Sequence, residues 1–122
     1  MDVVVNAPRK DDATAAAVVE ASGGAARVVV CNVTGLIALV RRMALMVGGA
    51  SGPMHLAAAL GSPLVALFGP TDPERNGPRG PGAKVVLRDP ASVTSYKRSG
   101  TEDPGLAKIS VGAVVEAIRD LL

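Results

Sequence analysis

The stretch GGASGPMHLAAALGSPLVALFGPTDPERNGPR, Gly48 to Arg79, decides how the rest of the chain reads. The apolar residues Ala44 to Val47 predict a buried strand that runs into a glycine turn, and the turn opens a helix. That helix feeds a second buried strand, Leu64 to Phe68, which ends in a Pro/Gly-rich loop. Gly48, Gly49 and Gly52 have access to backbone angles closed to other residues and let a ligand approach the main chain. Ser51 or Gly52 suits the N-cap, and Pro53 suits the first turn, where a missing N–H costs nothing. The N–H groups of that turn favour an anion in front of them. His55, the single histidine, falls in the same turn.

Outward from this stretch, strands and helices alternate. Asp2 to Asn6 is a β-branched run that suits a strand buried on both faces, and Asn6-Ala7-Pro8 ends it. Asp11 to Ala21 is an alanine-rich helix stopped by Ser22-Gly23-Gly24. Val28 to Val33 reads as a second buried strand broken by Gly35, and Leu36 to Met43 as a short helix with Arg41 and Arg42 near its end. Gly77 to Gly82 is a structured loop, Lys84 to Arg88 a fifth strand, and Asp89 to Lys108 an irregular excursion. Ser110 caps a last amphipathic helix whose apolar side carries Val111, Val114, Val115, Ile118, Leu121 and Leu122.

This alternation implies an α/β fold: a parallel sheet covered on both faces by right-handed crossovers. Ligands of such sheets bind beyond the carboxyl ends of the strands, where the strand order reverses. The Gly48–His55 turn stands at such an end.

At 122 residues the chain is expected to be one domain. Aromatics make up only 2%, so Ala, Val and Leu must fill the core. Too few stacking platforms remain for single-stranded nucleic acid. The net charge of +2 is spread along the chain without a basic block, which also argues against a nucleic-acid partner. Cys31 is the single cysteine, which excludes an internal disulfide and fits a reducing compartment. No stretch approaches the ~20 apolar residues of a membrane span, and Asp2 precedes a strand at once where a signal peptide would lie, so the expected location is cytoplasmic.

The central stretch resembles the donor-binding signature of the heptosyltransferases, GT-B glycosyltransferases that move heptose from ADP-heptose onto the lipopolysaccharide inner core. The family pattern, D-[ST]-G-P-x-H-x-A-A-A-x-G-x-P followed by G-P-T-D-P, is met at the glycine, proline, histidine and threonine positions. It departs at Ala50, where the family has Asp. A carboxylate there would accept from sugar hydroxyls, and losing such a partner costs about 1.5–3 kcal/mol, roughly ten- to hundredfold in affinity. The resemblance covers only the C-terminal, donor-binding half of the family. It implies an acceptor domain and a catalytic base that this sequence does not contain. It also implies a further first strand, with a loop bearing a phosphate-binding lysine, ahead of Asp2–Asn6. Ser95–Ser99 resembles a family segment rich in cysteines but has none. Removing the first strand from the order 3-2-1-4-5-6 and closing the gap gives a five-stranded, three-layer Rossmann-like or flavodoxin-like sheet of order 2-1-3-4-5. Exchange of elements between two chains in an intertwined homodimer is the alternative.

The resemblance implies that Ser51, Gly52, Pro53, Met54, His55 and Thr71 line the donor site. Each has a plainer reading. His55 would contact the diphosphate or sugar as a neutral hydrogen bonder, or only bond nearby backbone. Ser51 would bond a phosphate or cap the helix. Met54 would border the nucleotide, or pack in the core. Thr71 would donate to a phosphate, unless the 69–73 loop is simply a turn stiffened by Pro70 and Pro73 and closed by the Asp72 side chain. Arg75, Arg79 and Lys84 would steer an anionic donor or remain solvated. Asp11 and Asp12 stand near the family's ribose-binding acid, where a helix N-terminus also favours acids. Neither a catalytic set nor metal-ligand spacing is visible, and no cofactor is implied.

The expectation is therefore a single truncated nucleotide-sugar-binding domain spanning 1–122. It would bind a sugar nucleotide or nucleoside diphosphate weakly and turn nothing over alone. The alternative is a minimal α/β scaffold that keeps the family fold without the ligand.

Overall fold

The computed structural model describes residues 2–49, 51–69, 72–89 and 108–122. It divides into two compact units, Met1–Ala38 and Leu39–Leu122.

The first unit is a β–α–β turn of chain. β1 (Val3–Asn6) leads to α1 (Ala13–Ala21) and returns as β2 (Ala26–Val29), parallel to β1 with Val3 opposite Ala26 and Asn6 opposite Val29. Alanine favours the helix intrinsically. The Asp12 carboxylate starts it by accepting from the Ala15 N–H at 2.9 Å. Gly23 and Gly24 take positive φ of 65° and 86°, the left-handed conformation that lets the chain leave the helix.

α2 (Val33–Arg42) follows, and it begins earlier than the Gly35 break suggested. Asn32 explains this: its side-chain oxygen accepts from the Gly35 N–H at 2.8 Å, the bond of an N-cap. Gly35 therefore lies inside the first turn, where a Cβ would crowd the Cβ of Cys31. The strand expected at Val28–Val33 is accordingly displaced to Ala26–Val29.

The second unit holds β3 (Met46–Gly49), α3 (Gly52–Ala59), β4 (Leu64–Phe68), α4 (Pro73–Asn76), β5 (Lys84–Arg88) and α5 (Val111–Leu121). Its sheet is parallel, with β4 between β3 and β5. Met46 pairs with Leu64, which carries β3 through Gly49, two residues beyond the expected strand. β4 is the central strand, and Leu64, Val65, Ala66 and Phe68 are wholly buried. Met54 and Ala58 of α3 join Leu64, Ala66 and Phe68 in one core cluster, with Met46 against it. α5 packs on β4 and β5. Its Ser110 cap accepts from the Ala113 N–H at 3.1 Å. The buried stripe of α5 centres on Ala117, while Val111 and Val115, expected on the apolar side, are exposed.

The single five-stranded sheet of order 2-1-3-4-5 does not form; the strands make a two-stranded and a three-stranded sheet. The pairs that form, β1–β2, β3–β4 and β4–β5, are all between strands consecutive in sequence. A β1–β3 pair would be non-local, and β3 ends in Gly48 and Gly49, which have no side chains for the cross-strand contacts that stabilise a ladder. β1 is consequently not buried on both faces, and Val3 is 43% exposed. Most of the irregular excursion expected over Asp89–Lys108, including Ser95–Ser99, lies outside the described residues. Among the described residues no helix is long and apolar enough to cross a membrane.

Candidate functional site

At the carboxyl end of β3 the chain turns directly into α3. Ser51 is the N-cap residue, with extended φ −141° and ψ 167°, yet its side chain makes no capping hydrogen bond. The first turn is closed by backbone instead, the His55 N–H donating to the Ser51 carbonyl at 3.2 Å. Of the two uses weighed for this hydroxyl, capping is therefore not the one adopted. Ser51, Gly52 and His55 are all exposed. A Cβ added at Gly52 would meet nothing within 4 Å, so open space lies before the helix.

The glycines act through size here. Gly48, Gly49 and Gly52 are absent from the positive-φ residues, so the turn uses no left-handed backbone at these positions. Pro53 sits in the first turn, as its ring requires. Met54 is wholly buried, with its side chain in the core cluster. The motif thus divides along the helix period: Ser51, Gly52 and His55 face outward while Met54, Ala57 and Ala58 face the sheet.

The end of β4 lies one strand over. Gly69 is buried, and its carbonyl accepts from Arg88 Nε at 3.0 Å. Asp72 caps the short α4, accepting from the Glu74 N–H at 3.0 Å, so this aspartate closes its turn through its own side chain. Thr71, like Ala50 and Pro70, lies outside the described residues.

Several weighed roles are absorbed by structure. Lys84 donates to the carbonyls of Gly80 and Gly82, the latter at 2.7 Å, so its ammonium is occupied in the 77–83 loop. That loop grips the C-terminal end of α3: a Cβ at Gly80 would overlap the Ala58 carbonyl oxygen, and one at Gly82 the Gly61 carbonyl oxygen. Arg75 and Arg79 are exposed. In the first unit, Asp12 caps α1, and Asp11 forms an exposed pair with Arg9 at 2.9 Å. No group of three or more His, Cys, Asp or Glu able to hold a metal occurs among the described residues.

Sequence reading missed the end of β5. Arg88 bonds the Gly69 carbonyl, and Asp89 follows it at the rim. The signal was available, because a charged pair closing an apolar strand stands at a carboxyl end of the sheet.

The profile of glycosyltransferase family 9 (heptosyltransferase) matches residues 1–104. Lipooligosaccharide heptosyltransferase 2 of Haemophilus influenzae is 28% identical over 94 residues, which cover 75% of this chain and 27% of the relative. No solved structure matches the chain. The parallel strands, the glycine turn into α3 and the profile match agree, and the chain belongs to glycosyltransferase family 9, the heptosyltransferase family.

Proposed function

We propose that this chain is a donor-binding, GT-B type domain of a glycosyltransferase of lipopolysaccharide core synthesis, working in the cytoplasm. It takes the diphosphate of a sugar nucleotide such as ADP-heptose at the Ser51–His55 turn. The carrying observation is the Ser51 hydroxyl, which makes no capping bond at the N-terminus of α3 and stands exposed near His55. Unsatisfied N–H groups, the positive end of the helix and a spare hydroxyl are what a phosphate oxygen requires. His55 donates from its imidazole, Gly52 leaves room for the ligand, and Thr71 joins the set through the family motif. Pro53 shapes the turn, and Met54 reaches the ligand only through its backbone. In transfer, the same helix end would steady the departing diphosphate. In this reading the chain binds donor, and transfer draws its acceptor and base from elsewhere.

A second reading, a scaffold without ligand, draws on the burial of Met54 and the tight packing of Gly80 and Gly82, motif and loop residues that build the fold. Calorimetry with ADP and ADP-heptose, on the wild-type chain and His55→Ala, separates the two. Saturable binding weakened by His55→Ala supports the donor site. Silence at millimolar ligand leaves the scaffold.

A further inference from the structure

α3 carries the diphosphate turn proposed above at one end and meets the 77–83 loop at the other, where a single side chain ties the loop down. The helix has eight residues, a length of about 12 Å. A helix this short is marginal by itself, so its neighbours decide where its first-turn N–H groups point. Met54, Ala57 and Ala58 fix the face toward the sheet. The far end is fixed by its cap. Gly61 leaves the helix left-handed at φ 79°, its N–H donating to the Ala58 carbonyl at 3.1 Å and the Ser62 N–H to the Ala57 carbonyl at 3.0 Å.

The loop closes over that cap. Gly80 lies so near the Ala58 carbonyl, and Gly82 so near the Gly61 carbonyl, that neither has space for a Cβ. Lys84 opens β5, and the ladder holds its backbone opposite Leu64. From this fixed point its half-buried side chain turns back on the loop. The ammonium donates to the Gly80 carbonyl and, at 2.7 Å, to the Gly82 carbonyl. Hydrogen bonds from a charged donor are roughly twice as strong as neutral ones. α3 has no basic residue in its last turn, so this ammonium also brings positive charge to the negative end of the helix.

We propose that Lys84 is a positioning residue for the diphosphate turn: by pinning residues 80–82 on the C-terminal cap of α3, it sets the direction of the N–H groups at the opposite end. Resting on the donor reading above for its ligand, Lys84 acts along the helix without touching the diphosphate.

Lys84→Met keeps the reach of the side chain and removes its donors, and two measurements on the ¹⁵N-labelled chain test the role. In the free protein, the Gly61 and Ser62 amides should exchange faster, and the amide signals of Gly52 and His55 should move although Lys84 bonds the loop and not the turn. Changes confined to residues 79–85 overturn the coupling. With ADP, affinity should fall at least about fivefold. The loss should persist at about 0.5 M salt, where charges are screened beyond about 4–5 Å. Unchanged affinity overturns the positioning role while the donor reading stands. A loss that salt erases overturns it too, and makes Lys84 a charge that steers the anion. Ser110→Ala loosens the same unit elsewhere and should leave ADP affinity unchanged; an equal loss there would assign the effect to general loosening. If the wild-type chain binds no ADP, the donor reading falls and the free-protein signals alone decide the coupling. Should Lys84→Met fail to melt cooperatively, Lys84→Arg takes its place, with a planar fork instead of a rotatable ammonium at the two carbonyls. Smaller changes of the same sign are expected there, and unchanged signals overturn the role equally.

Discussion

The two units are made by the same local move, a strand, a helix and a parallel return strand, and they end up with different interiors. In Met1–Ala38 the β-branched run of β1 meets one partner strand and one alanine-rich helix, and its buried residues are alanines: Ala7, Ala15 and Ala26. In Leu39–Leu122 the equally apolar β4 has a strand on each side, with α3 and α5 packed against it, and Phe68, Leu64 and Val65 are wholly buried. An apolar run earns double-sided burial from its neighbours. The difference also bears on the site, because the turn proposed for the diphosphate is held by the better-packed unit.

The largest test of that contrast is Phe68→Ala, expected to cost about 3–5 kcal/mol in urea unfolding. Val4→Ala in β1, where the side chain is only half-buried, should cost about 1 kcal/mol. Equal losses would mean that the two interiors do not differ as described.

Turns come next. Gly80→Ala or Gly82→Ala forces a methyl onto a backbone carbonyl at the end of α3 and should cost about 2–3 kcal/mol. Gly24→Ala, at φ 86° with open space around it, carries only the left-handed penalty of about 1–2 kcal/mol. If thermal melts rank Gly24 first, the grip of the loop on α3 has been overstated.

Caps sharpen the comparison further. Asp12→Ala and Ser110→Ala each remove a bond to a helix N–H and should cost about 1 kcal/mol. Ser51→Ala should stay within about 0.5 kcal/mol, since its hydroxyl caps nothing. A destabilised Ser51→Ala would return that hydroxyl to a structural role and weaken the donor site.

The smallest effect is electrostatic and belongs to the first unit. Arg27 donates to Asp2 at 3.0 Å and holds that carboxyl below its ordinary value, while Asp2 raises the guanidinium. The pair's support is full above the ordinary carboxylate range, about pH 4, and is lost as pH falls through the lower folded value. Both groups are exposed, so Asp2→Asn should flatten only a slight acid-side slope in stability, and salt should erase it.

Much of the local structure around the candidate turn was readable because its signals are local. Pro53 in a first turn, Asp72 closing its own turn and Ser110 as a cap each depend on bonds within a few residues. Asn32 shows the limit: its cap is equally local, but Gly35 reads as a break until the side chain is seen to reach it. Arg88 escaped attention because a strand end gives no hint of which carbonyl lies beside it.

By itself the sequence determined the α/β alternation, β4 and β5 to the residue, and the family motif from Ser51 to His55. Only the tertiary structure decided that the strands form two sheets, that Met54 turns inward while Ser51 and His55 stay out, and that Gly80 and Gly82 lock the far end of α3. Caps and turns are settled by bonds within a few residues, whereas strand partners and burial depend on distant segments arriving in register, which no local window of sequence contains.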